Sequence, residues 1–167
     1  MTEIPVRILF VCMGNICRSP LAESIFRHLL AERGVEDLFE VDSAGTSGYH
    51  AGDPPDPRSA MHASRRGYDL SALRARRVRE ADFERFDLVL AMDWENLELL
   101  QAQCPAAHRG KLRRLTEFAR RLDAEVVPDP YYSGADGFEH VLDVVEDACD
   151  GLVAHLLAAP HQTGGTS

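Results

Sequence analysis

Hydrophobic and polar positions divide the chain into short apolar runs and longer amphipathic stretches in alternation. Residues 6–11, VRILFV, are apolar and β-branched almost throughout, the pattern of a strand buried on both faces. From Ser19 the period lengthens to that of a helix. Leu21, Ile25, Leu29 and Leu30 share one face, Glu23, Arg27 and Glu32 lie elsewhere, and Gly34 ends the segment. Residues 38–45, LFEVDSAG, predict a second strand, and 48–58, GYHAGDPPDPR, a Gly/Pro-rich loop. A helix over 59–66 closes at Gly67. Residues 86–92, FDLVLAM, predict a third buried strand, followed by a helix from about Asp93 to Gln103. A shorter strand over 111–118 and a loop over 126–134 come next. A long helix over 135–157 then carries Phe138, Val141, Leu142, Val145, Ala148, Cys149, Leu152 and Leu156 on its apolar face. The end, APHQTGGTS, predicts a disordered tail over 159–167.

Strands alternating with helices predict βαβ units with right-handed crossovers, and so a parallel sheet. The expected fold is a single three-layer α/β domain over residues 1–158. A four-stranded parallel sheet is flanked by helices, with an anion-binding loop after the first strand. In such sheets ligands bind at the carboxyl ends of strands, near the point where strand order reverses. The loop at residues 12–19 follows the first strand and occupies such an end.

Composition narrows the function. The 167 residues are 45% hydrophobic and 27% charged, ordinary for a globular chain. No run reaches the roughly 18 apolar residues of a membrane span. The N-terminus lacks the basic-then-apolar pattern of a secretory signal, so a cytoplasmic location without membrane partners is the expectation. A net charge of −9 argues against nucleic acid as partner, and any phosphate site must be built locally. Arginines nevertheless crowd residues 74–79, 109–114 and 120–121, as a solvated face or as a basic rim for anionic protein substrates. Four cysteines at 12, 17, 104 and 149 are too few for a disulfide scaffold and lack metal-finger spacing, so no metal and no cofactor are expected.

The chemistry concentrates in CMGNICRS, Cys12 to Ser19. A loop between strand and helix exposes free N–H groups and the positive end of the helix dipole. Gly14 lets the backbone curl, and Asn15 tolerates a left-handed conformation. The amides then close on one point as an anion nest, and Arg18 adds a planar fork for two phosphate oxygens. The same surroundings favour a thiolate at Cys12, placed to attack phosphorus, with Ser19 able to donate to the departing sulfur. Walker and dinucleotide patterns fail, because only Lys111 and Gly14 stand for their lysines and glycines. A general acid is also required. Asp53, Asp56 and Asp129 each precede proline, which holds the carboxyl in an extended loop. Asp129 gains from the aromatic Tyr131 and Tyr132 after it.

VCMGNICRSPLAE closely resembles the C-x5-R-[ST] signature of the low-molecular-weight protein tyrosine phosphatases. VDSAGTSGYHAGDPPDPR, DLVLAMDWENL and DPYYSG also resemble that family's segments, in its order, over about residues 7–157. The excess of arginine over lysine with abundant alanine predicts a bacterial, actinobacterial member. The resemblance implies hydrolysis of phosphotyrosine in protein substrates through a cysteinyl phosphate, with inorganic phosphate as product. It makes Asp129 the general acid and Tyr131 a flank of the substrate ring. It places Tyr49 on the variable pocket wall, and Met13 and Ile16 at the pocket floor or rim. It pairs Asn15 with Ser43 to hold the loop. It also implies that Cys17 traps oxidised Cys12 in a reversible disulfide, hence redox sensitivity. His50, near the pocket in sequence, is expected on a surface loop, and Trp94 in packing, with the pocket rim as alternative.

Three other functions compete. An arsenate reductase shares the loop but needs a downstream cysteine pair, and Cys104 and Cys149 are far apart. Related arginine phosphatases carry threonine where Ile16 stands. A phosphotyrosine-binding module need not retain Cys12, Arg18 and Asp129 together. A monomer is the expected state.

Overall fold

The alternation of side chains along the first strand sets the layers of the molecule. In the computed structural model, which describes residues 5–131 and 133–158, β1 spans Val6–Cys12 and is buried from Ile8 onward. Ile8, Phe10 and Cys12 face one side, and Leu9 and Val11 the other, as a period of two requires. β1 pairs in parallel with β2 (Phe39–Gly45), from Val6 opposite Phe39 to Cys12 opposite Gly45. It pairs on its other edge with β3 (Leu88–Ala91), which in turn pairs with β4 (Leu112–Arg114). The order β2-β1-β3-β4, all parallel, is the expected four-stranded sheet.

Helices cover both faces. On one side, α1 (Arg18–Glu32) and α5 (Ala135–Ala158) pack Leu21, Ile25, Phe26, Val141, Val145 and Leu152 against Ile8 and Phe10. On the other, α3 (Glu80–Arg85) and α4 (Trp94–Gln103) bring Phe83 and Leu100 against Leu9, Val11 and Val89. Each such fully buried Leu, Ile, Val or Phe contributes about 1.5–3 kcal/mol over exposure. The chain leaves β1 through α1 to β2 on one edge, and from β2 it crosses back past β1 to β3 on the other. The carboxyl end of β1 is therefore the reversal point at which a ligand site is expected.

Three boundaries depart from the hydrophobic pattern. α2 runs Pro57–Arg65, starting two residues before the expected helix, because the Asp56 side chain accepts the N–H groups of Arg58 and Ser59 (2.8 and 3.3 Å). Pro57 has no N–H to lose there. α3 is too short to leave a periodic signal. Its first turn is closed by the Asp82 carboxylate on the Arg79 N–H (2.7 Å), and the Phe86 N–H, bonded back to Asp82 O (2.9 Å), delays β3 to Leu88. The strand expected over 111–118 ends at Arg114, because Glu117 accepts the Arg114 N–H (2.9 Å) and folds Leu115–Phe118 into a 3-10 turn. That turn lays Phe118 against α5 so closely that a Cβ on Gly151 would fall 1.8 Å from the Phe118 carbonyl oxygen. The tail over 159–167 and Tyr132 lie outside the described residues.

Candidate active site

The loop between β1 and α1 is held open by its own carbonyls. Cys12 O accepts Thr46 N–H (2.9 Å), Met13 O accepts Ser47 N–H (2.9 Å), and Ile16 O accepts Asp56 N–H (2.7 Å). Carbonyls drawn outward turn the following amides inward, because the C=O and N–H of one peptide point in opposite directions. Asn15 makes the curl at φ 57°, the positive-φ non-glycine among the described residues. Gly45, opposite Cys12 on β2, permits the approach: a Cβ there would meet Met13 O at 2.7 Å and Gly14 C at 3.1 Å.

The orientation of Asn15 beside Cys12 is fixed by a group with no choice. The Arg76 N–H can only donate, and it donates to Asn15 Oδ1 (2.9 Å). Asn15 Nδ2 must then donate to Ser19 Oγ (2.8 Å) and Ser43 Oγ (3.0 Å). Ser43 passes its own hydrogen to Glu23 Oε1 (2.7 Å). Ser19 Oγ, accepting from Asn15, is left with one hydrogen and two acceptors in reach, Cys12 Sγ at 3.0 Å and Ala44 O at 3.5 Å; toward a thiolate, which can only accept, it donates. The Ser19 N–H, in the first turn of α1, also points at Sγ (3.4 Å). The sulfur thus faces two donors at the positive end of a 15-residue helix.

Arg18 is 3% exposed, and a buried guanidinium demands partners. Its Nη1 donates to Asp93 Oδ2 (2.7 Å) and Val127 O (3.0 Å), while Nη2 stands 3.8 Å from Asp129 Oδ2. Burial works against its charge, but Cys12, Asp93 and Asp129 outweigh it and raise the group above its ordinary value. With Nη1 occupied, Nε and Nη2 are left for an anion. Above this floor is a cavity of about 350 Å³, lined by Cys12, Met13, Gly14, Ile16, Cys17, Arg18, Tyr49, His50, Asp129 and Tyr131.

The sequence matches the low molecular weight phosphotyrosine protein phosphatase family over residues 7–161. The chain belongs to that family. It is 44% identical over 154 residues to a low molecular weight protein-tyrosine-phosphatase of Streptomyces coelicolor, covering 89% of this chain and 92% of the relative. The crystal structure of a protein tyrosine phosphatase from Entamoeba histolytica superposes with a TM-score of 0.90 at 37% identity, over 93% of this chain and 99% of that one. That of YfkJ from Bacillus subtilis gives 0.87 at 39% identity, over 93% and 97%.

Within this family site the three Asp-Pro carboxyls separate. Asp53 is on the exposed loop, against His50 Nδ1 at 3.2 Å. Asp56 is the buried cap of α2 and is clamped by Arg58 (3.0 Å). Asp129 lines the cavity, its Oδ1 turned onto the Tyr131 N–H (3.0 Å). Tyr131 walls the cavity beneath the Arg58 guanidinium, 5.2 Å from its ring centroid. Tyr49 is 86% exposed at the mouth, edge-on to His50. His50 is in a turn of the loop between β2 and α2, and it also reaches the pocket. Gly14 has no side chain, and the imidazole fills that space to join the cavity lining. Trp94 lies away from the cavity, with the Arg114 guanidinium 3.8 Å over its ring.

Cys17 is buried, and its sulfur pairs with Ser59 Oγ at 2.9 Å. Burial, with Cys12 and Asp56 adding, outweighs that bond and pushes the Cys17 thiol up to about 12. All four cysteines are free thiols. Among the described residues no cluster of three His, Cys, Asp or Glu could hold a metal, and no helix is long and apolar enough to cross a membrane.

Sequence reasoning missed three supports. Asp93 braces Arg18 while capping α4 through Asn96 N–H (2.7 Å), and its one sequence signal was its place just after the carboxyl end of the third strand. Glu23 stood in the pattern as a polar helix position. It is 3% exposed, with Arg27 on Oε2 (2.8 Å), and burial raises it above the usual carboxylate range despite Ser43 and Arg27. Gly45 carried only a turn signal.

Proposed function

We propose that this chain hydrolyses phosphotyrosine in proteins by two displacements at one sulfur. The observation that carries the reading is Cys12 Sγ between the hydroxyl and the N–H of Ser19, beside the braced Arg18. The loop amides and the free edge of Arg18 take the three non-bridging phosphoryl oxygens, which stabilises the charge spread over them in the transition state. The Cys12 thiolate attacks phosphorus, the P–O bond to tyrosine breaks, and Asp129 gives its proton to the departing phenolate. Asp129, now a carboxylate, takes a proton from water as that oxygen attacks the cysteinyl phosphate. The S–P bond breaks, Ser19 Oγ–H stabilises the returning thiolate, and inorganic phosphate leaves.

Tyr49 and Tyr131 suit the flanks of a phenyl ring, and Ile16 brings no hydroxyl for a phosphoguanidinium. Four free thiols suit a reducing compartment, and the reading places a monomer in the cytoplasm. The test is single-turnover hydrolysis of p-nitrophenyl phosphate and of phosphotyrosine and phosphoarginine peptides, with chelator present. Wild type is expected to release nitrophenol in a burst and to cleave the phosphotyrosine peptide. Cys12→Ser should be inactive while still binding phosphate. Undiminished turnover by Cys12→Ser would sink the mechanism, and faster cleavage of phosphoarginine would sink the substrate class.

A further inference from the structure

Residues 74–79 carry four arginines in a chain whose net charge is −9, on a segment tied to the loops beside the cavity. Their segment is laced to the loops that form the site. Gly52 N–H donates to Ala75 O (2.8 Å), Ala75 N–H to Asp53 O (2.9 Å), and Val78 N–H to Gly45 O (2.8 Å). Arg76 N–H reaches Asn15 itself (2.9 Å). The segment is therefore a rigid backing to the loop that carries Tyr49 and His50.

Its side chains divide into two kinds. Arg76 turns inward and is neutralised by Asp42 (3.1 Å) and Asp82 (3.0 Å). Arg74, Arg77 and Arg79 are exposed, and none of them makes an ion pair with any described residue; Arg79 is the cap of α3, while Arg74 and Arg77 flank the stretch tied to the site loops. Arg74 leans on the carbonyls of Ser71 (2.9 Å) and Leu73 (2.6 Å). The stem of Arg77 lies along Gly48, its Cδ 3.4 Å from where a Cβ there would stand, and the next residue is the cavity-lining Tyr49. On that loop Asp53 contacts His50 Nδ1 (3.2 Å) and neither Arg74 nor Arg77. Arg77 thus carries an exposed guanidinium without an ion pair against Gly48, one residue from the cavity-lining Tyr49, and Arg74 stands next to Ala75, which is tied to Gly52 and Asp53 of the same loop.

We propose that Arg74 and Arg77 form a docking shoulder for acidic side chains that flank the phosphotyrosine of a protein substrate. This rests on the phosphatase reading above. An extended peptide advances about 3.3 Å per residue, so positions two to four from an anchored phosphotyrosine lie roughly 7–13 Å out, beyond the pocket itself. A flanking aspartate or glutamate meets guanidiniums that can grip it with two nitrogens. Exposed pairs are individually weak and screened by salt, so the shoulder sorts substrates without holding product.

The experiment compares two phosphotyrosine peptides, one with Asp/Glu flanks and one with Lys flanks, against p-nitrophenyl phosphate, at low and at physiological salt. Wild type is expected to favour the acidic peptide in kcat/KM by about tenfold at low salt, through KM, and by less at high salt. Arg74→Ala/Arg77→Ala should remove most of that ratio and leave p-nitrophenyl phosphate turnover unchanged. Arg77→Glu should lower the ratio more than Arg109→Glu, which changes net charge equally but lies before β4, at the opposite end of the sheet. An unchanged ratio in the double alanine variant, or equal effects of Arg77→Glu and Arg109→Glu, overturns the shoulder. Loss of the underlying reading has another signature, a wild type inactive on p-nitrophenyl phosphate and on both peptides.

Discussion

Asp56 and Asp129 share the local sequence Asp-Pro, yet they meet opposite surroundings. Asp56 is 6% exposed, and every direction of its carboxylate is filled: two helix N–H groups and the Arg58 fork. Burial raises its proton affinity, but Arg58 and the two amides outweigh that and hold it below the usual carboxylate range. Asp129 is half-exposed, takes one backbone N–H, and keeps an oxygen 3.8 Å from Arg18 without closing a hydrogen bond. A carboxylate saturated by its own helix has no lone pair to trade. Proton transfer needs one that the fold holds in place and leaves partly unsatisfied.

The largest expected effect comes from exchanging these roles. Asp129→Asn should lower kcat about 10²- to 10³-fold on phenyl phosphates with poor leaving groups, with little change in Tm. Asp56→Ala should do the reverse, costing about 0.5–2 kcal/mol in urea unfolding and leaving kcat of the folded enzyme near wild type. The pH dependence follows from the lowered Asp56. Its stabilisation is complete above the unfolded value of about 3.9 and is lost as pH falls through the folded one, so the two proteins' stabilities should converge below about pH 4. A collapse of kcat in Asp56→Ala would show that the cap, too, is needed for proton transfer.

That comparison also marks how much the sequence carried. The strand–loop–helix at Cys12 was legible because it is local: an apolar run, a loop with one glycine, and an amphipathic period. The sheet followed from alternation. What could not be read were contacts across distance. Nothing in DP at 53, 56 and 129 says which aspartate faces Arg18, since that depends on where the chain after β4 returns. Glu23 looked like any exposed helix acid until β2 brought Ser43 against it, 20 residues on. Local hydrogen bonding also cut β4 short at Glu117, where propensity had extended it.

Glu23 gives the second, smaller test, because it is saturated like Asp56 but connected to the site like Asp129. Glu23→Ala strands the Ser43 hydroxyl in a buried position and is expected to cost about 1–3 kcal/mol of stability. It should also lower kcat about tenfold by loosening Asn15 and thus the orientation of Ser19 toward Cys12. A double-mutant cycle with Ser43→Ala should be strongly non-additive in kcat. Additive losses would mean that Glu23 acts on stability alone, and that a saturated carboxylate is silent wherever it sits.

Arg58 joins the two regions directly and supplies the smallest expected effect. Its guanidinium grips Asp56 at 3.0 Å while standing 5.2 Å from the Tyr131 ring centroid and 5.0 Å from that of Phe138. An exposed cation–π contact is worth about 0.5–1 kcal/mol, a factor of roughly two to five in binding. Arg58→Ala should therefore raise KM for phosphotyrosine peptides by that factor, because Tyr131 loses the group that sets its angle, while kcat stays the same. Arg58→Lys keeps the charge on Asp56 but loses the flat face. If Lys rescues Tm and not KM, the helix cap and the substrate wall are separate uses of one side chain. If it rescues both, the cap alone positions Tyr131, and Asp56 shapes the pocket without entering the chemistry.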